Sequence, residues 1–111
     1  MPIASELALT GRRMTAQEAK DFHLINRISK TPETLMDEAL SFAREISSLS
    51  PDAVIATRAG LRESWEQASV ERSSQLTTER FGYSIMTSPN TKIGLQAFAE
   101  KRIPQWVGPK L

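Results

Sequence analysis

Leu9-Thr10-Gly11-Arg12-Arg13-Met14-Thr15-Ala16-Gln17-Glu18-Ala19-Lys20-Asp21-Phe22-His23-Leu24-Ile25-Asn26-Arg27-Ile28 reads, in order, as a break, a capped helix, a tight exit and a short extended piece. Gly11 interrupts the chain. Thr15 offers a hydroxyl N-cap, and Glu18, three residues on, is placed to reach back to the cap's own N–H, which makes a capping box. Ala16, Ala19 and Phe22 share one face at helical spacing while Gln17, Lys20 and Asp21 point elsewhere, so the helix is short and buries one side. His23 stands where the helix must leave through the left-handed region. Glycine serves best there, and a histidine costs about 1 kcal/mol. Residues 24–28 are then read as a short strand with no partner elsewhere in the sequence.

The pattern on either side is helical. Residues 3–9 form a short helix with Ile3 and Leu7 inward, closed by Thr10-Gly11. Thr31-Pro32-Glu33 is a helix start, with Thr as N-cap, Pro at the first position and an acid in the first turn. Leu35, Ala39, Phe42, Ile46 and Leu49 follow on one stripe, and this helix ends near Ser48. Ser50-Pro51-Asp52 repeats the start signal for a helix with Val54, Arg58, Leu61 and Trp65 along a stripe and the small residues Ala53, Ala56 and Gly60 beside it, which suits close helix approach. Residues 67–86 form a further, rather polar helix through Val70, Ser74, Thr77, Phe81 and Ile85. Ser88-Pro89-Asn90 opens a last helix running to Glu100-Lys101-Arg102, where Pro104 stops it, and residues from Gln105 onward are a tail.

Composition narrows the function. The 111 residues, 40% hydrophobic and 24% charged, suit one domain below the size of most complete enzymes. Fourteen basic against thirteen acidic residues leave a net charge of +1, too small a field to gather a nucleic acid. The helix opened by Pro32 is also rich in Glu33, Asp37 and Glu38, which sets it against DNA phosphates. The absence of cysteine excludes disulfides and thiolate metal sites, and the single His23 cannot build a metal cluster. No run approaches the ~20 apolar residues of a membrane span. Glu63, Glu66, Glu71 and Glu79 lie scattered on helices as solvated acids, not as a catalytic pair, and Ser47-Ser48 and Ser73-Ser74 are helix-surface serines with nothing to activate them. No catalytic residue is assigned. Pro109-Lys110-Leu111 is one substitution from the Ser-Lys-Leu peroxisomal address, which makes the peroxisome the expected location and an import receptor an expected partner, with the cytoplasm as the alternative.

Leu9-Thr10-Gly11-Arg12, Ala16-x-Glu18-Ala19, Leu24-Ile25-Asn26-Arg27-Ile28, the Ser50-Pro51 helix start and the closing Gly94-x-x-Ala97-Phe98-x-Glu100-Lys101-Arg102-x-Pro104 together resemble the C-terminal part of the crotonase superfamily, the enoyl-CoA hydratases and isomerases. The likeness covers nearly the whole chain. It departs at His23, where relatives commonly have Gly, and at Ile103, where many have a basic residue. The resemblance implies a mainly α fold of five or six helices with one short strand, forming residues 1–111 as one covering and oligomerisation region. The ββα spiral core, with its oxyanion hole and acidic residues, is expected to be absent, so the chain alone is expected to be inactive.

The same resemblance implies a coenzyme A thioester as substrate, no tightly bound cofactor and no metal, and a homo-oligomer, trimer or hexamer. It places Phe98 near the adenine and Lys101 at the 3′-phosphate of coenzyme A, with Arg102 as a second cation. The spacing is also similar to the dienoyl-CoA isomerase branch, whose members bear peroxisomal tails. Read from the residues alone, Phe98 is core and Lys101-Arg102 complement the helix C-terminus. A non-catalytic helical oligomerisation module or a truncated paralogue stands as the alternative, because the polar helix and the small-residue faces suit assembly by themselves.

Overall fold

Thr15 starts its helix as the capping box requires: Glu18 N–H donates to Thr15 Oγ1 (3.2 Å) and Thr15 N–H donates to Glu18 Oε2 (2.8 Å). The computed structural model describes residues 2–111, with six helices in the order α1 (Pro2–Thr10), α2 (Ala16–Asp21), α3 (Leu35–Ser47), α4 (Pro51–Gln67), α5 (Val70–Thr87) and α6 (Pro89–Ala99). The chain divides into two units, residues 2–41 and residues 42–111, with the division falling inside α3.

In the first unit, α1 closes at Gly11, whose φ of 64° no side chain would favour. Arg12 then donates to Glu6 of α1 (2.7 Å) and to Glu18 of α2 (3.4 Å), joining the two short helices. The exit of α2 is a complete Schellman turn. His23 has φ 56°, its N–H donates to the Lys20 carbonyl (2.9 Å), and Leu24 N–H donates to the Ala19 carbonyl (2.8 Å). The histidine therefore occupies the glycine position, as the sequence indicates.

The expected strand at residues 24–28 is not formed. A strand is defined by its ladder, and no described residue pairs with this one, so the segment is irregular with Leu24, Ile25 and Ile28 all exposed. α3 also begins later than Pro32 indicates, at Leu35. Thr31 and Thr34 exchange hydrogen bonds through their hydroxyls and hold the preceding residues in a separate turn, and Glu38 accepts from Lys30 N–H and Thr34 Oγ1. No residue of α3 is buried, and Leu35, Met36 and Leu40 are exposed.

The second unit is an antiparallel hairpin of α4 and α5 with α6 against α5. Ala68, at φ 49°, and Ser69 make the turn, which moves the start of α5 from residue 67 to Val70. Ser69 caps it by accepting from Arg72 N–H. Ser73, read from sequence as a surface serine, is buried and donates to the Ser69 carbonyl (2.6 Å). The small residues do permit the close approach: a Cβ on Gly60 would lie 3.3 Å from Thr77 Oγ1. The consequence inverts the stripe, since Asp52 and Ala56 face inward while Leu61 and Trp65 are exposed, Trp65 to 88%. Ala56, Phe81 and Ala97 are the buried hydrophobic residues among those described. Large apolar side chains of α3 and α4 thus lie exposed over a small core.

Candidate functional site

The end of α6 brings the three candidate binding residues together, although not on a helix face. Pro104 disfavours the helical region at Ile103, so α6 cannot run past Arg102. The helix stops at Ala99 in a second Schellman turn: Lys101 N–H donates to the Phe98 carbonyl (3.2 Å) and Arg102 N–H to the Ala97 carbonyl (3.0 Å). Lys101 occupies the left-handed position at φ 53°. Phe98 is therefore helical and Lys101 is not, so the two do not share a helix face.

Their environments differ accordingly. Ala97 is buried against the unit while Phe98, the next residue, is 85% exposed, so the ring is not core. Lys101 makes no ion pair among the described residues, whereas Arg102 is bonded to Glu100 through Nε and Oε2. The Arg102 hydrogen bond, with a second from Gln96 Nε2, holds the Glu100 carboxyl below the usual range. Arg102 thus has its charge engaged locally, and Lys101 is the cation left to meet an anion. An exposed aromatic face followed by an unpaired ammonium suits an aromatic anion.

A second constellation, not identified from sequence, anchors α6. Ser50-Pro51-Asp52 and Ser88-Pro89-Asn90 place Asp52 and Asn90 at the same position of two helix starts, and the fold brings these starts together. Asp52 Oδ2 accepts from Ser88 Oγ and from Asn90 Nδ2 (3.0 Å), and Asp52 Oδ1 accepts from Lys110 N–H (3.0 Å). Asn90 also exchanges bonds with the Val107 main chain, donating at 3.0 Å and accepting at 2.9 Å. Asp52, Ser88 and Asn90 are each at most 2% exposed. The Ser88 hydroxyl first, then the Lys110 main chain and the Asn90 amide, outweigh burial and hold the Asp52 carboxyl below its usual range. The repeated Ser-Pro-Asp/Asn was the available signal for this cluster.

Residues 104–111 are accordingly not a free tail. Trp106 Nε1 donates to the Ser48 carbonyl (2.8 Å), and the indole lies over Gly94, where a Cβ would stand 3.1 Å from the ring. Of Pro109-Lys110-Leu111, Lys110 is held by its N–H, while Pro109 and Leu111 line a cavity of about 630 Å³ with Val54, Ile55 and Phe81. Asp52 is too buried to exchange protons with a substrate, and no group of His, Asp and Glu that could hold a metal exists among the described residues. No described helix is long and apolar enough to cross a membrane.

The family model described as enoyl-CoA hydratase/isomerase matches residues 1–109. The chain is similar to the mevalonyl-coenzyme A hydratase SIDH of Beauveria bassiana, 39% identical over 108 residues, covering 97% of this chain and 39% of that protein. It is also similar to the carnitinyl-CoA dehydratase of Salmonella arizonae, 35% identical over 111 residues, covering 96% and 41%. Among solved structures, an enoyl-CoA hydratase from Mycobacterium tuberculosis superposes with a TM-score of 0.85 at 36% identity, covering 96% of this chain and 41% of that one. The chain spans about two fifths of the length of these relatives.

Proposed function

We propose, because this chain belongs to the enoyl-CoA hydratase/isomerase family, that it is the C-terminal portion of such an enzyme and supplies one wall of an acyl-CoA site and a surface for assembly, while the reacting groups lie outside these 111 residues. The observation that carries the reading is Lys101. A side chain is retained at a left-handed helix exit where glycine costs less, and it leaves an unpaired cation three residues after an aromatic ring that is 85% exposed. Phe98 then covers the adenine and Lys101 meets the 3′-phosphate of a coenzyme A thioester, with Arg102, engaged by Glu100, a weaker second cation. No tightly bound cofactor is needed for that role.

The exposed Leu61 and Trp65 favour a second component of the reading, burial of α4 against further protein, whether the catalytic core or other subunits of a trimer or hexamer. The non-catalytic assembly module shares this component and lacks the nucleotide contact. Peroxisomal residence is part of the proposal and rests on Pro109-Lys110-Leu111.

A chimera tests the reading: this chain replaces the matching segment of the Mycobacterium tuberculosis enoyl-CoA hydratase. The expected result is an assembled protein that binds acyl-CoA, with Lys101→Ala weakening acyl-CoA and leaving the dephospho-CoA thioester unaffected. Assembly without nucleotide binding would leave the assembly module as the better account.

A further inference from the structure

Glu100 and Arg102 stand on either side of Lys101, and their side chains are tied to each other. Glu100 is the C-cap of α6, and both of its carboxylate oxygens are held: Gln96 Nε2, one turn earlier, donates to Oε1 (2.8 Å), and Arg102 Nε donates to Oε2. The backbone beneath is fixed as well, since the N–H groups of Glu100, Lys101 and Arg102 donate in turn to the Gln96 (2.9 Å), Phe98 (3.2 Å) and Ala97 (3.0 Å) carbonyls. An acid is therefore built into the turn that carries the candidate cations, and Gln96 keeps it facing Arg102. The Glu100 and Arg102 side chains are 46% and 42% exposed, so an incoming anion can reach the pair.

We propose that Glu100 sets the affinity and selectivity of the anion site by holding Arg102 until a phosphate takes the carboxylate's place. This rests on the reading of Phe98 and Lys101 given above and adds a residue to it. An ion pair this exposed contributes little stability. A dianionic phosphate beside Lys101 is the stronger partner for a guanidinium, which meets it through two parallel N–H bonds. Arg102 then exchanges one oxyanion for the other, and that exchange opposes binding of the 3′-phosphate while leaving the rest of the nucleotide untouched. Glu100 meets no ligand; it is a positioning residue that acts through Arg102. A glutamine in its place keeps the length and one acceptor oxygen but removes the charge that holds the guanidinium.

The test titrates the full 111-residue chain, followed by NMR, with adenosine 3′,5′-bisphosphate and with adenosine 5′-monophosphate, which lacks the 3′-phosphate. Glu100→Gln is expected to tighten the bisphosphate severalfold, less so at high salt, and to leave the monophosphate nearly unchanged. In the unsubstituted chain the bisphosphate should shift the Arg102 Nε–H resonance. No gain for Glu100→Gln, an equal gain for both nucleotides, or an Nε–H resonance unmoved at saturation would overturn the proposal. So would an undiminished gain in an Arg102→Gln background, which would show simple charge repulsion by the carboxylate. Lys101→Ala separates the two levels of the argument. If it weakens the bisphosphate alone while Glu100→Gln changes nothing, the site stands and the role of Glu100 falls; if it affects neither nucleotide, the site falls and the role of Glu100 with it.

Discussion

Lys101 carries two opposed contributions that one pair of substitutions separates. Its φ of 53° places a β-carbon in the left-handed region, at about 1–2 kcal/mol for a non-glycine residue. Lys101→Gly removes that strain but frees the unfolded chain by about 0.4–1 kcal/mol, which leaves a net gain of roughly 0.5–1 kcal/mol. The same change deletes the ammonium. In the proposed site the contact is partly exposed, so its loss weakens acyl-CoA binding by about 1 kcal/mol, close to fivefold, and by less at high salt. Lys101→Ala loses the cation and keeps the strain, so binding falls equally while stability stays near wild type. The assay is urea denaturation beside calorimetric titration of the chimera with acyl-CoA and its dephospho analogue at two ionic strengths. Equal losses for the two ligands would show that Lys101 does not meet the 3′-phosphate. A Lys101→Gly protein less stable than Lys101→Ala would refute the strain argument.

Phe98→Ala should weaken acyl-CoA binding in a manner that persists at high salt, with little change in stability because the ring is already 85% exposed; a loss that salt abolishes counts against ring contact. Asp52 should make stability acid-sensitive. Its folded pKa lies below the ordinary 3.8, so its contribution is fully present above that value and disappears as pH falls through the lower folded value. The stability difference between wild type and Asp52→Asn should therefore narrow on acidification, and a constant difference across that window would contradict the assignment. A reporter carrying residues 100–111 should collect in peroxisomes and disperse when Leu111 is deleted, and a diffuse intact reporter would count against the address.

The local sequence determined most of the secondary structure. Thr15 and Glu18 are three residues apart, so their capping box closes whatever surrounds it, and Ser50-Pro51 and Ser88-Pro89 start helices at the residues their chemistry indicates. The left-handed exit at His23 was legible for the same reason: the turn's bonds span only a few residues. The family was legible from motif spacing. A strand at residues 24–28 was not determined, since its ladder needs a partner distant in sequence. The facing of α4 was not determined either. Leu61 and Trp65 are the larger apolar residues, but α5 approaches on the side where Gly60 admits Thr77, and both remain outside.

The candidate site divides along the same line. Phe98 and Lys101 could be named from sequence, but their geometry depended on where α6 stops, and the Schellman turn at Lys101 ended it at Ala99, three residues before the expected run finished. Asp52, Ser88, Asn90 and Lys110 are separated by up to 58 residues and appear in the sequence as two ordinary helix starts and a tail. Tertiary structure alone made them a cluster, because a buried carboxylate without a cation persists only where several N–H and O–H groups converge on it, and that convergence is created when the two helix starts meet.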